Sequence, residues 1–164
     1  MDGDSWNLII ILLCIVMSAY FSATETAFST VNKVRLKSMA DKGNNRASRV
    51  LKMLDDYDGM LSSILIGNNI VNILSASLST VLFIGLLGED LGASMSTAVT
   101  TVVVLIFGEI SPKCIAKEHP EGFTMFSAPI LSVIMFILTP FNFIFRQWKK
   151  KYFQNCLKLV TISV

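Results

Sequence analysis

The hydrophobic pattern divides the chain into four long apolar stretches joined by short polar segments. These stretches run over about residues 5–31, 60–87, 93–110 and 121–145. A helix needs roughly 20 residues to cross about 30 Å of hydrocarbon at 1.5 Å per residue. The pattern therefore predicts an all-α membrane protein.

The segment between the first two stretches is polar, but apolar residues recur in it at helical spacing. The break "KGNN" at residues 42–45 divides it in two. It predicts a pair of short amphipathic helices over about residues 33–55, lying at the membrane surface. The segment carries seven basic residues, which favour contact with anionic lipid: Lys33, Arg35, Lys37, Lys42, Arg46, Arg49 and Lys52.

The distribution of charge predicts the orientation of the spans. Basic loops stay in the cytoplasm, so the basic pair of helices is expected there. The N-terminal flank, with Asp2 and Asp4, and the turn "GEDLG" at 88–92 are acidic and are expected outside. Spans 5–31, 60–87 and 93–110 then run out-to-in, in-to-out and out-to-in.

The fourth stretch does not fit a simple count of spans. It contains Pro129 and Pro140, and five basic residues follow between Arg146 and Lys158. A basic flank is expected in the cytoplasm, so we favour three spans and a kinked fourth helix over 121–145 at the inner interface. Four spans with a translocated tail remain the alternative. We expect one transmembrane domain over 1–149 and a basic cytoplasmic tail over 150–164.

Composition agrees with a membrane domain and gives no sign of an enzyme. The chain is 52% hydrophobic and 16% charged, against about 25% charged residues in soluble proteins. Its three cysteines have no metal-finger spacing, and the acidic N-terminus is unlike a signal peptide, so the first helix is expected to be retained. No catalytic motif occurs, and His119, the only histidine, lies in a polar turn. We expect no catalytic or cofactor-binding residue and no nucleic-acid partner.

Polar residues interrupt the first span on one helical face. Ser18, Ser22, Glu25 and Ser29 are separated by four, three and four residues, which places them on one side of a helix. Alanines at 19, 23 and 27 would let another backbone approach closely. Each residue also has a structural interpretation: the serines as packing contacts, and Glu25 as a residue that reaches the interface or pairs with Lys33 or Arg35.

The second and third spans carry matching polar groups. In the second, Asn68, Asn72, Ser75 and Ser79 share a face, and Asn69 shares an overlapping face with Asn72. These amides are costly in hydrocarbon unless they find partners, which interhelical hydrogen bonds alone would also provide.

The third span ends in "FGEISPK". Pro112 cannot donate to the Gly108 carbonyl, and Glu109 lies beside the break. Freed carbonyls at broken helices bind cations in transporters. Oxygen ligands of these kinds suit Mg²⁺, Ca²⁺ or Na⁺ rather than softer metals.

Three motifs in this order, "SAYFSATETAFST", "GNNIVNI" and "FGEISPK", resemble the transmembrane domain of the CorC/CNNM (cyclin M-like) magnesium transporter family. The resemblance covers about residues 5–145. It implies three spans, a cytoplasmic helix pair, a belt helix at the inner interface and a homodimer in the plasma or inner membrane. It also implies export of a dehydrated Mg²⁺ ion, with Na⁺ as the proposed coupling ion.

The resemblance also implies a ligand set for the ion. The metal ligands would be Ser18, Ser22, Asn69, Asn72, Ser75, Gly108 and Glu109, with Glu25, Asn68 and Pro112 along the ion pathway. Family members continue into cytoplasmic CBS domains that bind ATP, which this chain, ending at Val164, is not expected to contain. The alternative function is a non-transporting dimeric Mg²⁺ sensor whose ion site is structural.

Overall fold

A computed structural model describes the backbone of residues 3–139 and the side chains of residues 5–139. Asp2, Pro140, the predicted end of the belt helix and the basic tail over 150–164 lie outside the described residues.

Residues 3–139 are helical almost throughout. The helices are α1 (Gly3–Thr30), α2 (Lys33–Asp41), α3 (Asn45–Asp55), α4 (Tyr57–Leu87), α5 (Glu89–Val103), α6 (Ser111–Glu118) and α7 (Pro120–Ile137), and a π-helical segment (Val104–Ile110) joins α5 to α6. Within residues 5–139, four helical stretches are long and apolar enough to cross a membrane: Ser5–Thr30, Tyr57–Leu87, Glu89–Glu118 and Pro120–Ile137.

The two short helices begin at asparagines, which explains where the polar segment divides. The Asn32 side chain accepts hydrogen bonds from the first backbone N–H groups of α2, and Asn44 does the same for α3. Such caps satisfy donors that have no partner inside the helix. Gly43, with φ of 89°, makes the turn between them.

Helices α4 and α5 form a close antiparallel hairpin. Gly88 turns the chain with φ of 82°. A Cβ atom on Gly92 would lie 2.6 Å from the Ile84 Cα atom, so only a glycine permits this approach. The Thr80 and Ser96 hydroxyls lie 3.3 Å apart one turn further from Gly88. The contacts of Gly92 with Ile84 and of Thr80 with Ser96 fix the register between α4 and the third span.

The third span stays helical at the proline instead of breaking. Pro112 has no N–H, and the hydrogen-bond ladder before it shifts, since the Ser111 N–H donates to the Ile106 carbonyl five residues earlier. Helix α6 then continues to Glu118. A π-helical turn inserts one extra residue and is frequent at functional sites. Here it occurs in the "FGE" motif.

Helix α7 runs alongside α3 and contacts α1. Met125 and Ser132 of α7 contact Asn44 and Met53 of α3 at 3.6 and 3.9 Å. The Tyr20 hydroxyl of α1 donates to a carbonyl of α7. The main core lies among α1, α2, α3, α4 and α7; its buried members include Phe21, Phe28, Leu36, Val50, Met60, Ile64 and Leu131.

Candidate cation site between the long helices

Ser18 is the point where the three polar motifs meet. Its side chain is fully buried, and its hydroxyl donates to the Asn68 amide oxygen at 3.0 Å. The third span packs on the same residue, because a Cβ atom on Gly108 would lie 3.0 Å from the Ser18 hydroxyl. The small side chains at both positions let the π-helical segment come this close to α1.

Three buried oxygen atoms near this point have no hydrogen-bond partner among the described residues. They are the hydroxyls of Ser22 and Ser75 and the amide oxygen of Asn72. A buried polar atom without a partner costs about 1–3 kcal/mol, and buried polar groups are nearly always paired. These oxygens, one on α1 and two on α4, therefore indicate positions where a ligand that accepts electron pairs would bind.

The unpartnered oxygens lie at different levels along the helices. Ser22 is one turn, about 6 Å, beyond Ser18 toward the end of α1. Ser75 is two turns, about 10 Å, beyond Asn68 toward the end of α4. Contacts of Ser18 with Asn68 and of Phe21 with Gly67 indicate that α1 and α4 are antiparallel. Ser22 and Ser75 therefore lie on opposite sides of the Ser18 level.

A pocket of about 280 Å³ opens between α4 and the third span. Asn72 of α4 and Glu109 of the third span lie at its end nearest Ser18. We call this the α4–α5 pocket. Its lining residues are Asn72, Ala76, Thr80, Ser96, Thr97, Thr100, Thr101, Val104, Leu105 and Glu109.

An ion pair lies on the other side of Ser18. The Lys113 ammonium is 3.4 Å from a Glu25 carboxylate oxygen, and both side chains are about one-third exposed, at 39% and 31%. Glu25 is two turns beyond Ser18 on α1, and Lys113 follows Pro112 at the start of α6. The pair thus borders the site on the side where α1 ends.

The structure brings part of the predicted ligand set together. Ser18, Asn68 and Gly108 are in contact, and Asn72 and Glu109 line one pocket. Asn69 lies apart from them on an exposed face of α4. No three His, Cys, Asp or Glu side chains form a metal-binding group among the residues described. A cation here would be held by hydroxyl, amide and carbonyl oxygens with the Glu109 carboxylate.

The sequence patterns considered above did not include the hydroxyl groups of α5. Ser96 and Thr100, and Thr97 and Thr101, repeat at four-residue spacing in "SMSTAVTT", which places them on one helical face. That spacing was a usable signal, but threonine is common in membrane helices, so the pattern alone does not separate a pocket from a packing face.

Comparison with known proteins identifies the family. The model of the cyclin M transmembrane N-terminal domain matches residues 9–156. A UPF0053 protein of Haemophilus influenzae is 39% identical over 146 residues, which are 89% of this chain and 34% of that protein. The UPF0053 inner membrane protein YfjD of Escherichia coli is 44% identical over 124 residues, 76% of this chain and 29% of the relative.

A third relative has a transport name. The polyamine export protein of Escherichia coli is 28% identical over 164 residues, 87% of this chain and 37% of the relative. The chain thus spans about a third of the length of the curated relatives it matches. The family model matches most of its length, and the part of the chain that the structure describes has four helical stretches apolar enough to span a bilayer. The chain is therefore a multi-pass membrane protein of the cyclin M transmembrane-domain family.

Proposed function

We propose that this domain transports Mg²⁺ through a site at the level of Ser18. The observation that carries the proposal is the set of buried oxygens on Ser22, Asn72 and Ser75 that no described residue satisfies. Of these residues, Asn72 lines the same pocket as the Glu109 carboxylate. Oxygen-only sets with one carboxylate suit a hard cation. A set of ligands that is mostly neutral binds a divalent ion weakly enough to release it.

The proposed ligands at the centre are the Ser18 hydroxyl, the Asn72 amide oxygen, the Gly108 carbonyl and the Glu109 carboxylate. Ser22 and Ser75 lie on either side of this level and would receive the ion before or after the centre. Asn68 holds the Ser18 hydroxyl and would orient it. The transported ion is the substrate, and we assign no catalytic residue.

We propose the topology of three spans with a belt. Helix α7 contacts Asn44, which caps α3, and Met53 of α3, so it runs alongside α3. Arg35 of α2 pairs with Glu121 at the start of α7, at 3.5 Å. If the basic helices lie on the cytoplasmic surface, α7 lies beside them. The N-terminus is then outside, and the ion leaves the cytoplasm past Glu25 and moves toward the α4–α5 turn. Export with Na⁺ as the coupling ion follows the family resemblance.

The decisive experiment is Mg²⁺ flux in proteoliposomes with the variant Glu109→Gln. This substitution keeps the shape of the side chain and removes its charge. We expect flux to fall at least tenfold while the protein keeps its elution profile and helical signal. The matched control is Glu118→Gln, because Glu118 is an exposed carboxylate of the same span outside the pocket, and its flux should equal that of the unaltered protein.

A different result would favour the second interpretation, a non-transporting dimeric sensor. In that case Glu109→Gln would weaken Mg²⁺ binding and lower thermal stability, while the unaltered protein carried no flux above that of empty liposomes. Flux that is equal in Glu109→Gln and in the unaltered protein would contradict the proposed site.

A relative's name supports polyamine export as a second candidate function. The α4–α5 pocket combines the Glu109 carboxylate with apolar atoms of Val104 and Leu105, a combination that also suits an organic cation with a methylene chain. Putrescine added to the same flux assay separates the two candidates. If putrescine is transported, and if it also lowers Mg²⁺ flux when both are present at equal concentration, polyamine export is favoured.

We propose that the domain works as a homodimer, with α4 near the contact. Asn69 is exposed at the level of the Ser18 site, and an amide facing lipid is costly, so a second copy would provide its partner. In a background without native cysteines, Asn69→Cys should form an intermolecular disulfide on mild oxidation. Val81→Cys, also exposed on α4, is the control, and cross-linking that is equal at both positions would count against this contact.

A further inference from the structure

The α4–α5 pocket has a chemical character that differs from that of the buried site beside it. Its walls carry hydroxyl groups on both helices, set among the apolar side chains of Ala76, Val104 and Leu105. The pocket extends from Glu109 toward the hairpin turn, reaching Thr80 and Thr97. The separation of eight positions from Asn72 to Thr80 corresponds to about 12 Å of helix.

Two threonine hydroxyls of the pocket present acceptors rather than donors. The Thr80 hydroxyl donates to the Ala76 carbonyl at 2.9 Å, and the Thr97 hydroxyl donates to the Ala93 carbonyl at 3.0 Å. Each hydroxyl has one proton, so the atoms that remain available on these two residues are lone pairs. The buried Asn72 amide oxygen and the Glu109 carboxylate add further acceptors.

Acceptors at these positions favour a ligand that carries donors. Water molecules bound to a divalent cation have both hydrogens directed outward, so a hydrated cation is such a ligand, whereas an anion is not. The volume of the pocket also fits a hydrated cation. The pocket measures about 280 Å³, and a water molecule occupies about 30 Å³, so roughly nine waters would fill it. A hexahydrated ion therefore has room.

We propose that the α4–α5 pocket binds a divalent cation that still carries its water shell. This inference rests on the proposed function and deepens it, since the pocket would be the station where the ion regains water after the dehydrated site. Mg²⁺ loses and regains its water slowly, so a transporter with a dry site needs an adjacent place for this exchange. Glu109 borders both places and attracts the ion in each.

The test uses cobalt(III) hexammine, whose six ammine ligands do not exchange. It has the size and the outward N–H donors of hexahydrated Mg²⁺ but cannot enter a site that requires direct oxygen ligation. We expect calorimetry on the detergent-solubilised protein to show binding of one hexammine ion per chain. The variant Thr97→Val/Thr100→Val/Thr101→Val, which keeps side-chain shape and removes three hydroxyls, should bind at least tenfold more weakly. Hydroxyl deletions outside the pocket, Ser77→Ala and Ser94→Ala, should bind as the unaltered protein does.

Two further measurements keep the inference separate from the proposed function. Thr101→Val alone should weaken hexammine binding about threefold. This single variant replaces the triple variant in the test if the triple variant does not fold. Both threonine variants should retain Mg²⁺ binding at the Ser18 level. Absence of hexammine binding, or equal binding in the threonine variants, overturns the hydrated pocket even where Mg²⁺ flux is found. Hexammine binding that depends on the threonines supports it even where the flux assay fails.

Discussion

At the scale of single residues, the candidate site consists of small and neutral oxygen-bearing side chains with one carboxylate. Ser18 is buried and paired with Asn68, whereas Ser22, Asn72 and Ser75 have buried oxygens that no described residue satisfies. This division separates residues that hold the helices together from residues open to a ligand. Glu25, which the sequence placed either on the ion pathway or in a structural role, pairs with Lys113 rather than with Lys33 or Arg35.

The pairing of Glu25 with Lys113 predicts opposite effects of neutralising each partner. Glu25→Gln leaves the Lys113 ammonium to repel an incoming cation, so KM for Mg²⁺ flux should rise about tenfold. Lys113→Gln leaves the carboxylate free, so KM should fall, and the double variant should lie near the unaltered protein. A purely structural pair would make both single variants less stable and change KM in neither direction.

At the scale of the elements, close backbone approach decides the shape of the site. The π-helical segment sets Gly108 against Ser18, and the hairpin brings Gly92 onto Ile84. The motif "FGEISPK" predicted a broken helix because of its proline, whereas the structure has a π-helical segment that leads directly into α6. Which of the two forms depends on which neighbouring backbone the segment packs against, here α1.

The hairpin contact predicts a strong effect of one methyl group. Gly92→Ala would place a Cβ atom against the backbone of α4, which cannot move aside as a side chain can. Overpacking of this kind costs about 1–3 kcal/mol, so thermal unfolding in detergent should shift down by about 3 °C or more. Gly85→Ala, on α4 with no atom within 4 Å of the added Cβ, should leave Tm unchanged or raise it. Equal shifts in the two variants would contradict the tight hairpin.

At the scale of the whole molecule, the three long helical stretches of α1, α4 and α5–α6 enclose the site, and the short helices and α7 pack at one end of α1. The cluster formed by Leu36, Val50 and Leu131 joins α2, α3 and α7 into one layer. The same layer carries the Arg35–Glu121 ion pair. A rigid layer of this kind, placed at a membrane surface, would fix the depth of the Glu25–Lys113 pair.

Cysteine labelling tests this arrangement in membranes. In a background without native cysteines, Ser38→Cys, His119→Cys and Thr139→Cys, all exposed positions, should react with an impermeant maleimide from the cytoplasmic side. Glu89→Cys in the hairpin turn should react from the opposite side. Labelling of Thr139→Cys together with Glu89→Cys would instead show that α7 crosses the membrane and would reject the belt.

The sequence by itself determined the helical class, the family and the three segments that carry polar groups. Those features follow from local rules, because apolar length, helical spacing and motif order do not depend on how helices pack. The tertiary structure decided that Ser18 meets Asn68 and Gly108, that Asn69 faces away, that Lys113 pairs with Glu25, and that α5 hydroxyls form a pocket. These depend on the register between antiparallel helices, which is set by close contacts at Gly92 and Gly108 that no local pattern encodes.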